Sequence, residues 1–142
     1  MSIAFANAQT FTYNGINYNI TDAANFYVEV GENVGFTGAV NIPTTVVFNS
    51  NNYTVTEIGI DAFRFSSNIT SVVIPNTVTN IGMGSFSGCS GLTSVLIPDS
   101  VLNIGDDSFF GCSGLTSLTI GNSVTNIGAN AFANATALTS VV

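Results

Sequence analysis

The chain has 142 residues, 46% of them hydrophobic, and carries eight carboxylates against one basic side chain, for a formal net charge of −7. That balance excludes nucleic-acid binding, which needs Lys and Arg to neutralise phosphates, and attraction to anionic lipid. It contains no histidine and no lysine, so the usual general bases near neutral pH are missing and no catalytic residues or cofactors are expected. High hydrophobicity with little charge is the reverse of the disorder signature, and no apolar run approaches the roughly 18 residues needed to span a bilayer. An ordered single domain without membrane insertion follows.

In chain order, residues 1–10 read as a signal-peptide remnant or disordered tail. Ala6-Asn7-Ala8 fits the small-x-small cleavage pattern and leaves Gln9 as the first mature residue. Residues 11–52 read as an N-terminal β cap with a diverged first repeat. Tyr13-Asn14-Gly15-Ile16-Asn17-Tyr18 is a hairpin signal with its turn at Asn14-Gly15. Phe26–Val30 has strand composition, and Ile42-Pro43 followed by Thr45–Phe48 resembles a lengthened repeat.

Residues 53–142 repeat with a period of 23, and such a period is the mark of stacked supersecondary units. Ile58-Gly59, Ile81-Gly82, Ile104-Gly105 and Ile127-Gly128 keep it, as do Phe63, Phe86, Phe109 and Phe132. So do Ile69, Leu92, Leu115 and Leu138, and Val72, Val95, Leu118 and Val141, and Val55, Val78, Val101 and Val124. Within one unit, Leu92–Ile97 is β-rich and directs Leu92, Val95 and Ile97 inward. Pro98 ends that strand because it cannot donate to a central ladder. A second extended piece, Val101–Ile104, closes on Gly105, which is expected to supply a positive φ at the turn. Asp106–Cys112 is too short for an independent helix and is expected to form a 3₁₀ or single helical turn that drives Phe109 inward. One unit cannot bury these faces alone, so stability must come from stacking on its neighbours. Equivalent strands should then pair in parallel about 4.8 Å apart, giving a β-rich solenoid with a parallel sheet on one face, short 3₁₀ or helical turns on the other and an N-terminal β cap.

The consensus L-T-S-V-x-I-P-x-S-V-x-x-I-G-x-x-x-F-x-x-C-x-G, read from this chain, resembles the BspA-like leucine-rich repeat family. The likeness covers about residues 53–142. It implies a curved solenoid, export to the cell surface and adhesion to protein or to a cell-surface glycan. The chain departs from the pattern at Ser66 and Ala135, where Cys is usual, and at Gly121, where Pro is usual.

Among groups that could carry chemistry, Cys89 and Cys112 share a phase and are expected to be buried free thiols, since in-register stacking points both Cβ atoms the same way. Zinc needs four ligands, and the spacing of Asp106, Asp107 and Asn130 matches no Ca²⁺ loop, so no metal site is expected. Asp99-Ser100-Val101 resembles an O-glycosylation site of exported bacterial proteins. The strongest candidate is the outward sheet face: Ser71 and Val73, Ser94 and Leu96, Ser117 and Thr119. A hydroxyl column beside a mostly apolar one suits protein contact. The array is open at Leu138, Val141 and Val142, and an apolar edge that does not close on itself permits end-to-end self-association into a fibre or matrix.

Overall fold

The computed structural model describes residues 9–142; the Ala6-Asn7-Ala8 cleavage pattern lies outside them. β1 (Thr10–Tyr13) and β2 (Ile16–Asp22) form an antiparallel hairpin. Its turn, Asn14-Gly15, has φ of 49° and 80°, the paired left-handed conformation that a two-residue turn between twisted strands requires. β3 (Tyr27–Val30) pairs antiparallel with β2 and parallel with β6 (Asn51–Ile58). β4 (Thr37–Asn41) pairs in parallel with β7 (Asn68–Val73). The strand of this first coil is therefore β4, upstream of Ile42-Pro43. Thr45–Phe48, read as part of a diverged, lengthened first repeat, is β5, folded back antiparallel on β6 through a left-handed Asn49-Ser50 turn.

From β6 onward each coil has three sides. One carries β7, β9 (Ser94–Ile97), β11 (Ser117–Ile120) and β13 (Ser140–Val141), with Ser94, Ser117 and Ser140 in one row of a parallel ladder. A second carries β8 (Asn80–Ile81), β10 (Asn103–Ile104) and β12 (Asn126–Ile127), which continue β6 in parallel and align Ile58, Ile81, Ile104 and Ile127.

The third side holds no helix. Asp61, Gly84, Asp107 and Asn130 share one phase and Phe65, Gly88, Gly111 and Asn134 another, all eight with φ between 52° and 75°. A left-handed residue every fourth position interrupts the run of right-handed residues that any helix needs, so the local bonding is limited to single i→i+3 turns, as from the Ser85, Ser87 and Cys89 amides to the Gly82, Gly84 and Phe86 carbonyls. The alternate amides find partners in the adjacent coil: Gly84, Phe86 and Gly88 donate to the carbonyls of Asp106, Ser108 and Phe110 at 2.7–2.9 Å. Every side of the coil is thus hydrogen-bonded to its neighbour, although only two sides carry regular strands.

The core lies inside these walls. Phe63, Phe86, Phe109 and Phe132 stack with ring centroids 5.1–5.3 Å apart and interplanar angles of 7–14°. Phe36 of the first coil closes the column edge-on at 5.6 Å. Around it run buried columns of Ile58, Ile81 and Ile104, of Leu92 and Leu115, and of Val72, Val95 and Leu118. Gly105 does not take the positive φ expected of it. A Cβ there would lie 2.6 Å from the Met83 nitrogen, and one at Gly82 would lie 2.7 Å from the Gly59 carbonyl carbon. This glycine column lets two backbones touch, and the left-handed work falls two and six residues further on. Threonine hydroxyls add a fixed pattern: those of Thr93, Thr116 and Thr139 each donate to the backbone carbonyl of the residue one coil earlier, at 3.0–3.5 Å.

Candidate functional site

Strand alternation sets the sheet face. In β9, Val95 and Ile97 are buried while Ser94 and Leu96 point to solvent, because successive side chains take opposite sides of the pleat. Parallel pairing then aligns Leu96 with Thr119 and Ser94 with Ser117. Val73 is 58% and Leu96 62% exposed; Thr119 and Ser71 are half-buried and Ser117 is exposed. Ser94, Leu96, Ser117 and Thr119 therefore share one sheet face, and Ser71 and Val73 lie on β7, the strand that pairs with β4. Pro98, Asp99, Thr119 and Val142 line a shallow depression at its end. At the last coil Leu138 is half-buried and Val141 and Val142 are exposed; β12 and β13 each have a strand neighbour on one side only.

The thiols belong to the interior. Cys89 and Cys112 are free and fully buried. Their Sγ atoms donate to the carbonyls of Phe63 and Phe86, one coil back, at 3.2 and 3.3 Å. Burial pushes both thiols up to about 12, so they are neutral and unreactive in the folded chain. Ser66 stands at the same phase and its hydroxyl donates to the Asn33 carbonyl at 3.3 Å. The departure from the repeat pattern at Ser66 thus preserves the donor. Among the carboxylates, Asp106 Oδ1 accepts the Ala129 amide at 2.8 Å and Asp99 Oδ1 that of Asn122 at 2.7 Å, each tying one coil to the next. The Ser100 hydroxyl is buried, which removes it as an attachment point in the folded chain. Among the described residues no group of three His, Cys, Asp or Glu side chains gathers to hold a metal.

Sequence reading missed a second surface, on the turn side. There the coil from Gly82 carries Gly84, Ser87 and Gly88, where the coil before it has Asp61, Arg64 and Phe65 and the one after has Asp107, Phe110 and Gly111. Small residues between bulky ones open a slot of about 340 Å³, floored by Gly84 and Ser87 with Met83 at its rim. Arg64, the sole basic side chain, reaches Asp61 at 3.3 Å and lies 4.8 Å over the Phe65 ring. Phe65 itself is 68% exposed with φ 57°, at the phase that later coils fill with Gly, Gly and Asn. A signal was available: the outward columns change bulk between coils while the inward columns do not.

The BspA type leucine rich repeat region matches residues 32–142 in six copies. Among solved structures the chain is similar to a leucine-rich repeat protein from Bacteroides ovatus ATCC 8483, at 38% identity and a TM-score of 0.81, over 87% of this chain and 33% of that one. A leucine-rich repeat protein from Bacteroides capillosus ATCC 29799 matches at 24% identity and TM-score 0.77, over 93% of this chain and 96% of that one. The T. pallidum leucine rich repeat protein TpLRR matches at 24% identity and TM-score 0.63, over 94% and 71%. These last two likenesses speak for the fold alone. The chain spans a third of the length of the B. ovatus protein, and no curated protein matches it. With that array matched over most of its length and its stacked core in view, the chain belongs to the BspA-type leucine-rich repeat family.

Proposed function

We propose that this chain is a non-catalytic protein-binding module of an exported, cell-surface repeat protein, and that it binds through the outward face of the side that carries β7 and the sheet of β9, β11 and β13. The observation that carries the reading is the set of outward positions Val73 and Leu96, both exposed, with half-buried Thr119, beside the hydroxyls of Ser71, Ser94 and Ser117. Solenoids of stacked repeats present extended surfaces of this kind, and apolar groups ringed by neutral polar ones desolvate cheaply in a protein contact. The non-catalytic part rests on composition, with no histidine or lysine to move protons. Among the described residues no helix is long and apolar enough to cross a membrane.

The test is capture from host-cell or neighbouring-cell surface extract by the wild-type chain and by the double variant Val73→Asp, Leu96→Asp. Both side chains are more than half exposed, so the variant should melt as wild type does while losing its protein ligand. Unchanged capture removes the sheet-face reading, and capture abolished by deglycosylating the extract assigns the ligand to glycan. A second reading has the open edge of β12 and β13, with Val141 58% and Val142 82% exposed, take another copy of this chain. Light scattering that returns a monomer at every concentration would eliminate it.

A further inference from the structure

We propose that the slot on the turn side is a binding site for a guanidinium or ammonium side chain, arginine by preference, presented by a partner protein. The proposal rests on the protein-binding reading above, but it concerns a different surface.

The slot is built by a repeat that changes where its neighbours do not. Its walls stand two coil steps apart, roughly 10 Å between backbones at the strand spacing. The space between them is that of the large side chain that Ser87 lacks relative to Arg64 and Phe110. A Cβ added at Gly84 would clash with the Asp61 carboxylate, and one at Gly88 would lie 2.7 Å from the Phe65 ring. Glycine on the floor is thus what lets the wall groups lean in. Phe65 holds a left-handed backbone that a bulky side chain ordinarily avoids, and strain of that kind accumulates at functional positions.

The walls also state what would fit. On one side Asp61, Arg64 and Phe65 form a complete set of carboxylate, guanidinium and aromatic ring. Across the slot Asp107 and Phe110 supply the carboxylate and the ring without a cation. The single basic side chain of this sequence, Arg64, is already paired with Asp61. A net charge of −7 favours the approach of a cation from outside, and a flat guanidinium can stack on Phe110 while bonding Asp107. The floor backbone competes little, since the amides of Gly84, Ser87 and Gly88 are all hydrogen-bonded.

The experiment is an amide-resolved NMR titration of the whole chain with acetyl-Gly-Arg-Gly-amide, with its citrulline counterpart and with methyl glucoside. The arginine peptide should shift the Gly84, Gly88 and Phe110 amides saturably, at least about five-fold more tightly than citrulline, and should weaken as salt rises from about 20 to about 300 mM. Asp107→Asn should lower that affinity about five-fold or more; the backbone tolerates Asn there, as Asn130 takes the same conformation one coil on. Ser87→Phe, which copies Phe110 at its own phase, should fill the slot and abolish the response. Leu96→Asp should leave it unaltered, which separates failure of this site from failure of the sheet face. Equal binding of citrulline, no effect of Asp107→Asn, or saturation by methyl glucoside alone would each overturn the proposal.

Discussion

The coils from β6 onward and the region before them bury similar side chains by different means. In the coils each buried group meets its own kind one step away: Phe86 lies on Phe109, the Thr116 hydroxyl bonds the Thr93 carbonyl, and Gly105 touches Gly82. Around the N-terminal hairpin no such translation operates. Phe11 stacks on Phe48 at 4.5 Å and meets Tyr18 and Tyr53 as well, while the Asn33 side chain accepts the Asn17 amide and donates to the Gly31 carbonyl. A repeated contact needs to be solved once, and an unrepeated one must be solved at each position. The coils should therefore respond to substitution in proportion to place in the column, and the N-terminal region one residue at a time.

The aromatic column gives the largest test. Phe86→Ala removes a ring held from both sides and should cost about 3–5 kcal/mol in denaturant unfolding, with Phe132→Ala, half-buried at the last coil, costing clearly less. A double variant with Phe109→Ala should show non-additive coupling of about 1 kcal/mol; strict additivity would mean the rings fill space independently. Glycine separates the regions next. Gly82→Ala forces two backbones apart and should cost more than about 2 kcal/mol, whereas Gly15→Ala meets open space and should lose only the roughly 1–2 kcal/mol of a left-handed alanine. At the thiol phase Cys112→Ser, which copies Ser66, should be better tolerated than Cys112→Val, which loses the donor to Phe86 at about 1 kcal/mol.

Smallest in stability is Ser85→Ala. That hydroxyl is buried with no partner among the described residues, and Ala62 and Ala131 stand at the same phase, so the variant should match or exceed wild type by up to about 1 kcal/mol. The thiols also give a pH test. Their folded values, about 12, lie above the ordinary 9, so their stabilising contribution is complete below pH 9 and is lost as pH rises toward 12. Thermal melting should fall over that window, and the fall should shrink in the Cys89→Ser, Cys112→Ser variant. A thiol reagent at neutral pH should label neither cysteine before unfolding.

What sequence could reveal follows the same division. Columns of Ile58, Phe63, Val72 and their successors were legible because burial imposes the period, and the outward positions followed by alternation. The Asn14-Gly15 turn was legible because few residue pairs accept two left-handed conformations. The first coil was legible only as a diverged, lengthened repeat around Ile42-Pro43, and its strand β4 went unread, since a hairpin inserted after Ile42-Pro43 broke the count. The role of Gly105 was misassigned for another reason: a glycine needed for close approach and one needed for positive φ look identical in sequence. The slot went unseen because it is a difference between coils, and a consensus averages differences away.

The intercoil bonds have a sense of direction. On the turn side each coil donates to the next, as Phe63 does to Ser85, whereas at the end of the second strand each donates back, as Gly82 does to Ile58. The upper surface of a coil therefore matches the lower surface of another and no other face. Inserting or deleting one whole 23-residue unit would keep the backbone hydrogen-bond pattern of each junction, so reach along the array is free to vary in inheritance while the outward residues of each added unit diversify.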